Sequence, residues 1–316
     1  MQKKYLTIDE QIEHLKEKNL SFIDLEKTKK ILNQIGYYKI VNAYKIPFID
    51  YSNNKNYFDG VCFEDLYNLY VFDFELKSIV FEYASQIEIT FKSYISNLIS
   101  EKYGVLFEDY LKKENFIADT GANGEYSFED MKNFIKKEID KQLKNEHPSI
   151  RWYKDKYNNF PFWVVSNILT LGSVSRIYTK LKLEDQMKIS KEYLLPFDYL
   201  SSFIIHVNRV RNICAHNSVL YRYKSINNIP QKVKRVKSQF EKLDIPLNTI
   251  TGRFSYGTKD FLSTLIVFSL LLPSAEFQKF KNKLNALLIV LKAQLQPTFY
   301  NKILWEMGLP ENWYLL

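Results

Sequence analysis

Hydrophobic residues recur at helical spacing along most of this chain. Between residues 66 and 98 they return at steps of three, four and seven, which predicts one long amphipathic helix. Near the start, Thr7-Ile8-Asp9-Glu10 has the spacing of a capping box and predicts a helix over about residues 7–18. A second helix is predicted over about residues 25–35, because Gly36 follows the apolar pattern as a typical terminator.

The second half of the chain carries the same kind of pattern. An apolar stripe after Pro196 predicts a helix with Asp198 as its N-cap; its members are Leu200, Phe203, Val207, Val210 and Cys214. Residues 260–295 predict two apolar helices separated by Leu272-Pro273-Ser274, and Gly172 inside another apolar run predicts a close backbone approach. With 9 Gly and 9 Pro in 316 residues, turns are too few for an all-β fold, so we predict an all-α protein.

The composition is that of a folded domain, with 46% hydrophobic and 25% charged residues. Cys62 and Cys214 lack partners at metal-ligand spacing, so no disulfide framework and no metal site are predicted, and a reducing cytoplasm fits. No secretion signal or membrane span is predicted, because the most apolar stretch is stopped by Pro273 after 12 residues.

Positive charge is concentrated late in the chain. The formal net charge is +8, and residues 217–259 hold nine Lys and Arg against two acidic residues. Such a segment predicts a surface that attracts a polyanion such as RNA. Four cations are close enough to contact successive phosphates: Lys232, Lys234, Arg235 and Lys237. The alternative interpretation is a solvated basic face without a ligand.

A polar cluster follows the stripe of the helix after Pro196. Arg211 and His216 are separated by four residues, Asn212 lies next to the arginine, and Arg209 is a second arginine at a similar distance from the histidine. Farther upstream, Glu88 lies on one helical line with Phe81, Ala84, Phe91 and Ile95. A carboxylate among apolar side chains needs a partner, so we predict an Arg from another helix, the alternative being a helix-edge Glu that reaches water.

The chain resembles the Abi-like family of abortive-infection proteins, of the AbiD and AbiF type, from about residue 5 to residue 222. The resemblance is carried in order by LTIDEQIEHLKEKNL, IGYYKIVNAYKIPF, FDFELKSIVFEYASQIEITFKSYI, PFWVVSNILTLGSVSRIY and RVRNICAHNSVLYR. The last segment fits the Arg, four residues, His pattern of HEPN ribonucleases. The chain departs from the expected pattern at Lys92, where an Arg is expected, and at Tyr221-Arg222, which replaces a Trp-Asn-Arg-like ending.

The resemblance implies a HEPN-type helical bundle, with an N-terminal helical arm (1–60), a HEPN core (61–222) and a basic C-terminal helical region (223–316). It implies a metal-independent endoribonuclease toxin of an anti-phage or toxin–antitoxin system, which needs no cofactor. RNA is the expected substrate and a structured small RNA an expected partner. Arg211, Asn212 and His216 are the expected catalytic residues, Glu88 supports them, and Arg209 and Arg222 join the RNA-binding set.

The expected chemistry is attack by the 2′-hydroxyl of RNA on the adjacent phosphate. An imidazole titrates near neutral pH and suits proton transfer, while a guanidinium stays charged beside phosphate. On an ideal helix Arg211 and His216 lie about 140° apart, so either the helix ends near His216 or a homodimer completes the site. Two alternatives stay open: Arg211 pairs with Glu88 while His216 caps a helix end, or the protein binds RNA without catalysis.

Overall fold

The computed structural model describes residues 5–122 and 124–316, and it confirms the all-α prediction. The helices are α1 (Ile8–Glu17), α2 (Leu25–Ile35), α3 (Phe63–Tyr103), α4 (Phe107–Tyr110), α5 (Phe128–Lys144), α6 (Pro148–Tyr157), α7 (Phe162–Ile168), α8 (Leu171–Lys180), α9 (Leu183–Glu192), α10 (Phe197–Ala215), α11 (Lys234–Lys242), α12 (Phe261–Leu271), α13 (Ser274–Gln294) and α14 (Pro297–Met307). Short helical turns lie at Tyr38–Asn42, Ile46–Phe48, Lys113–Asn115 and Trp313–Leu315.

The described strands are short and lie outside the main bundle. β1 (Ile49–Asp50) pairs antiparallel with β2 (Asn56–Tyr57), and β3 (Leu247–Asn248) pairs antiparallel with β4 (Arg253–Phe254). Each pair closes a local turn between helices, so neither forms a sheet that buries a face of the core.

The first two helices begin and end where the sequence predicts. Thr7 caps α1 in a capping box, with its N–H donating to the Glu10 carboxylate at 2.8 Å and its hydroxyl accepting from the Glu10 N–H at 3.3 Å. Gly36 ends α2 with φ at +94°, a conformation that is strained for a residue with a Cβ.

The long helix α3 is the axis of the molecule. Its 41 residues extend about 60 Å at 1.5 Å per residue, and its apolar stripe packs against α7, α8, α10 and α13. The predicted long amphipathic helix is therefore confirmed. Because so many helices share one partner, residues on α3 lie beside residues from distant parts of the chain.

Helix α10 packs on α3 and α8 through the predicted stripe. Leu200, Phe203, Val207 and Val210 are fully buried. The predicted close approach at Gly172 is confirmed, because a Cβ there would lie 3.1 Å from Nδ2 of an Asn208 side chain on α10.

The predicted N-cap of α10 is wrong. Pro196 occupies the cap position and the helix begins at Phe197, so Asp198 lies inside the first turn. A proline just before the helix already fixes an extended conformation there. The Asp198 carboxylate instead lies near the positive end of the helix dipole, where it remains favourable.

The C-terminal helices join the same hydrophobic core as the rest of the chain. α12 is buried on nearly all sides, and α13 packs along α3, which confirms the two predicted apolar helices. The division of the chain near residues 60 and 222 stays a prediction. Among the described residues, no helix combines the length and the apolar character that crossing a bilayer requires.

Candidate active site

The Arg and His of the motif lie at the C-terminal end of α10. The helix ends at Ala215, and His216 is the C-cap residue, whose N–H donates to the Asn212 carbonyl at 3.0 Å. Asn217 follows with φ at +52°, a left-handed conformation that asparagine tolerates, so the chain turns away at once. The His216 side chain is exposed and forms no hydrogen bond or ion pair with a described residue. The expectation that the helix ends near His216 is confirmed.

Arg211 is the predicted arginine partner of Glu88. Its Nε lies 3.7 Å from Glu88 Oε2, and its guanidinium carbon lies 5.1 Å from the ring centre of Phe81. The distance is too long for a hydrogen bond, so the attraction is electrostatic. The Arg211 side chain remains 36% exposed, so part of the guanidinium faces solvent.

Glu88 has a second cationic partner on its own helix. Lys92 Nζ lies 2.7 Å from Glu88 Oε1 and also donates to the Leu169 carbonyl at 2.7 Å. The Glu88 side chain is only 14% exposed, so it does not behave as a helix-edge residue in water. The lysine that departs from the expected arginine therefore still neutralises this carboxylate and ties α3 to the end of α7.

A cleft of about 520 Å³ opens beside this ion-pair cluster. We call it the α3–α7 cleft; its lining residues are Ser85, Glu88, Ile89, Lys92, Ser93, Ser96, Asn97, Trp163, Ser166, Asn167 and Arg211. The hydroxyl groups of Ser96 and Ser166 are 3.0 Å apart and join the two helices. Arg211 thus borders a concave polar surface.

A buried carboxylate that the sequence did not single out anchors the chain after His216. Asp73 on α3 is fully buried and accepts the backbone N–H groups of Leu220 at 3.0 Å and Tyr221 at 2.6 Å. It also accepts the Tyr44 hydroxyl at 2.7 Å and lies 3.3 Å from Lys77 Nζ. Burial raises the pKa of Asp73, whereas the Lys77 ammonium and the Tyr44 hydroxyl act to lower it. We call these interactions the Asp73 anchor.

Lys77 connects the Asp73 anchor to the motif. Its Nζ donates to Asn217 Oδ1 at 2.5 Å, and Asn217 is the residue directly after His216. The hydrophobic pattern of α3 could have indicated that Asp73 is buried, because it lies seven residues after Leu66 and seven before Val80 on the buried stripe. A carboxylate in that position needs several donors, but the pattern does not say which ones.

Two other residues of α10 carry reactive side chains, one of them buried and the other partly buried. His206 is buried, its Nε2 lies 3.1 Å from the Thr264 hydroxyl, and burial with the nearby Arg209 lowers its pKa to about 4. Burial raises the pKa of the Cys214 thiol to about 12, so it is not a thiolate near neutral pH. Of the two histidines in this region, His216 is therefore the exposed one.

The arginines predicted to bind RNA lie on two sides of the motif. Arg209 and Arg222 are both partly buried, and neither forms an ion pair with a described acidic residue. Arg209 precedes the motif on α10, whereas Arg222 directly follows the backbone segment that the Asp73 anchor holds.

The four cations between residues 232 and 237 lie toward the other end of α10. Lys232, Lys234 and Lys237 are exposed, but Arg235 is partly buried and donates to the Tyr193 carbonyl at 2.5 Å, and burial lowers its pKa. That carbonyl precedes the first residue of α10, and 19 residues of helix separate the two ends by about 28 Å. The structure therefore does not bring these four cations next to the motif.

Comparison with known proteins identifies one matching family model, described as Abi-like protein, over residues 30–222. No curated protein and no solved structure matches the chain. The matched region contains Glu88, Lys92, the Asp73 anchor and the complete Arg–His motif.

Proposed function

The chain belongs to the Abi-like family, and from this premise we propose that it is a metal-independent endoribonuclease toxin of a cytoplasmic anti-phage or toxin–antitoxin system. One observation carries the proposal. A partly exposed Arg211, held by a carboxylate, borders a polar cleft, and an exposed His216 is the C-cap residue of the same helix. These are the two kinds of side chain that RNA cleavage by its own 2′-hydroxyl needs.

In this mechanism the 2′-oxygen forms a bond to phosphorus and the bond from phosphorus to the 5′-oxygen breaks. His216 exchanges the protons of the attacking or the leaving oxygen, a contribution typically worth about 10² to 10⁴ in rate. Arg211 stabilises the negative charge that develops on the phosphorane. Asn212, one turn before His216, supplies an amide on the same face. The products are a 2′,3′-cyclic phosphate and a 5′-hydroxyl.

A second copy of the chain completes the site in this proposal. Five residues at about 100° each place Arg211 and His216 about 140° apart, and the chain turns away only at Asn217, so in this proposal two copies of the motif meet at one phosphate. Phe74 and Phe81 are exposed on α3, and Phe81 lies beside the Arg211 guanidinium, so they offer an apolar surface for a homodimer. Replacing Phe74, which does not line the α3–α7 cleft, by Glu should give a monomer in sedimentation that no longer cleaves RNA, whereas a wild-type monomer at micromolar concentration would contradict the dimer.

The function is tested by expressing the wild type beside Arg211→Ala and His216→Ala and mapping new RNA ends. Both variants should lose cleavage and growth inhibition while keeping the wild-type melting temperature. Matched controls replace exposed residues of the same types elsewhere, His14→Ala and Arg151→Ala, and should stay active. EDTA should leave activity intact. A requirement for Mg²⁺, or cleavage by a folded His216→Ala variant, contradicts the mechanism.

The ion pair between Arg211 and Glu88 favours a second function, in which the motif is structural and the protein binds a structured small RNA without cutting it. The basic segment would then carry the activity. Under this function, RNA copurifies with the wild type and the His216→Ala variant in equal amount, and neither produces new RNA ends. Under the first function, only the wild type produces them.

A further inference from the structure

The α3–α7 cleft has the shape and chemistry of a site for one nucleobase. We propose that it holds the base of a nucleotide next to the cleaved phosphate and so sets the sequence preference of the enzyme. The inference rests on the proposed function, and it names what that site recognises. It starts from the position of the cleft, its aromatic wall and its unpaired amides.

The cleft begins at the proposed phosphate site. Arg211 and Glu88 line one end, and Asn97 lies nine residues farther along α3, which is about 13 Å at 1.5 Å per residue. Its volume of about 520 Å³ falls within the roughly 300–1,000 Å³ that small-ligand pockets occupy. A phosphate at the guanidinium therefore leaves an adjacent base room in the rest of the cleft.

One wall of the cleft is an indole ring. Trp163 is 40% exposed, and its Nε1 lies 3.3 Å from the Tyr153 hydroxyl, which fixes the orientation of the ring. Bases of single-stranded RNA stack on aromatic side chains, and losing one such contact weakens binding by about 5- to 150-fold.

The remaining wall presents neutral hydrogen-bonding groups. Asn97 and Asn167 are exposed, and neither side-chain amide bonds to another described residue. Each amide offers two donors and one acceptor, the combination that reads the edge of a base. Ser96 and Ser166, by contrast, already bond to each other and form part of the floor.

The charges in the cleft fit a nucleotide better than a cation or a free anion. The charged lining residues are Glu88, Lys92 and Arg211, a net charge of +1 at one end, and the carboxylate already faces both cations. The Trp163 end is neutral. A ligand with a phosphate at one end and a flat neutral group at the other matches this division.

Binding is measured in the His216→Ala background, so that RNA stays intact, with labelled octamers of U, A, C and a mixed sequence rich in G. Trp163→Ala should weaken binding about tenfold without changing the salt dependence, because no phosphate contact is lost. Trp163→Phe should stay within about threefold of the parent because it retains a ring. Trp305→Ala is the control, because that indole is 77% exposed on α14 and does not line the cleft.

The double variant Asn97→Ala/Asn167→Ala should reduce the differences in affinity among the octamers. The control Asn227→Ala, which replaces an exposed asparagine that does not line the cleft, should leave these differences unchanged. In the active protein, the same double variant should flatten the base preference next to the mapped cleavage ends. Melting temperatures show whether each variant is folded. If Trp163→Ala does not fold, Trp163→Phe and the Asn double variant, each measured separately, test the cleft.

The two proposals fail in different ways. Unchanged octamer binding and an unchanged base preference in the folded Trp163 and Asn variants would overturn the base pocket, even if the wild type cleaves RNA. Binding that depends on Trp163 while the wild type produces no RNA ends would overturn the proposed ribonuclease and leave the pocket in place.

Discussion

Replacing Asp73 by Ala should be among the most destabilising single changes in this protein. The substitution removes the acceptor of two backbone N–H groups at Leu220 and Tyr221 and of the Tyr44 hydroxyl. It also leaves Lys77 buried without its carboxylate. Each unsatisfied buried donor costs about 1–3 kcal/mol, and breaking a buried ion pair costs about 3–5 kcal/mol. Since these costs overlap, we expect about 4 kcal/mol or more.

A double-mutant cycle separates the charge pair from the backbone contacts. Asp73→Asn keeps an acceptor for a backbone N–H but leaves Lys77 without a negative partner, while Lys77→Met leaves Asp73 without its cation. The double variant has neither charge, so its loss should be smaller than the sum of the single losses by about 0.5–3 kcal/mol. The free energies of unfolding come from urea titrations followed by circular dichroism.

The surface pair of Asp109 and Lys112, 2.9 Å apart and half exposed, provides the matched control. Asp109→Ala should cost less than about 1 kcal/mol, because exposed ion pairs contribute little. If Asp73→Ala costs no more than this control, Asp73 does not hold the segment after His216. Additive losses in the cycle would show that Lys77 and Asp73 do not stabilise each other.

Three further predictions follow from other contacts. Glu88→Gln should lower RNA cleavage, because both neighbouring cations lose their carboxylate, and normal cleavage with a normal melting temperature contradicts its supporting role. The pKa of His206 is lowered from 6.5 to about 4, so its contribution to the free energy of unfolding is fully present above pH 6.5 and is lost as the pH falls toward 4. From pH 7 to pH 5 the wild type should therefore lose about 2 kcal/mol more than His206→Leu in urea titrations, and equal losses refute this. Replacing the exposed lysines Lys232, Lys234 and Lys237 by Gln should reduce the slope of log K against log salt for single-stranded RNA by roughly 2. An unchanged slope would identify these lysines as part of a solvated face.

Local features of the fold were predictable from the sequence, and long-range partners were not. The capping box at Thr7 and the glycine after α2 act within a few residues, so spacing alone locates them. The prediction that Asp198 is the N-cap was wrong, because Pro196, two residues earlier, already occupies the cap position. Helix periodicity states which face is buried but not which residue on it takes the cap position.

In the candidate site, the energetic cost of burying a charge likewise predicts that a partner is needed but not which residue it is. The cost of burying Glu88 predicted the type of its partner, an arginine from another helix, and the packing of α10 on α3 determined that it is Arg211. The Asp73 anchor joins residues 147 positions apart, a distance at which no periodic pattern acts. The need for a partner can be read locally, whereas the identity of the partner depends on the complete fold.

In the proposed ribonuclease, the arrangement along α10 separates RNA binding from the chemistry. The exposed lysines neighbour Arg235, which bonds near the N-terminal end of this helix, whereas His216 lies at its C-terminal end, and the helix is about 28 Å long. Under the proposed function, a lysine near the far end of α10 contributes to the attraction of RNA but does not reach the reacting phosphate. Replacing the three lysines should therefore raise KM and leave kcat unchanged, whereas His216→Ala should abolish kcat with little effect on RNA affinity. A fall in kcat in the lysine variant would mean that the basic segment reaches the site, either in the second copy of a dimer or after a rearrangement of the chain.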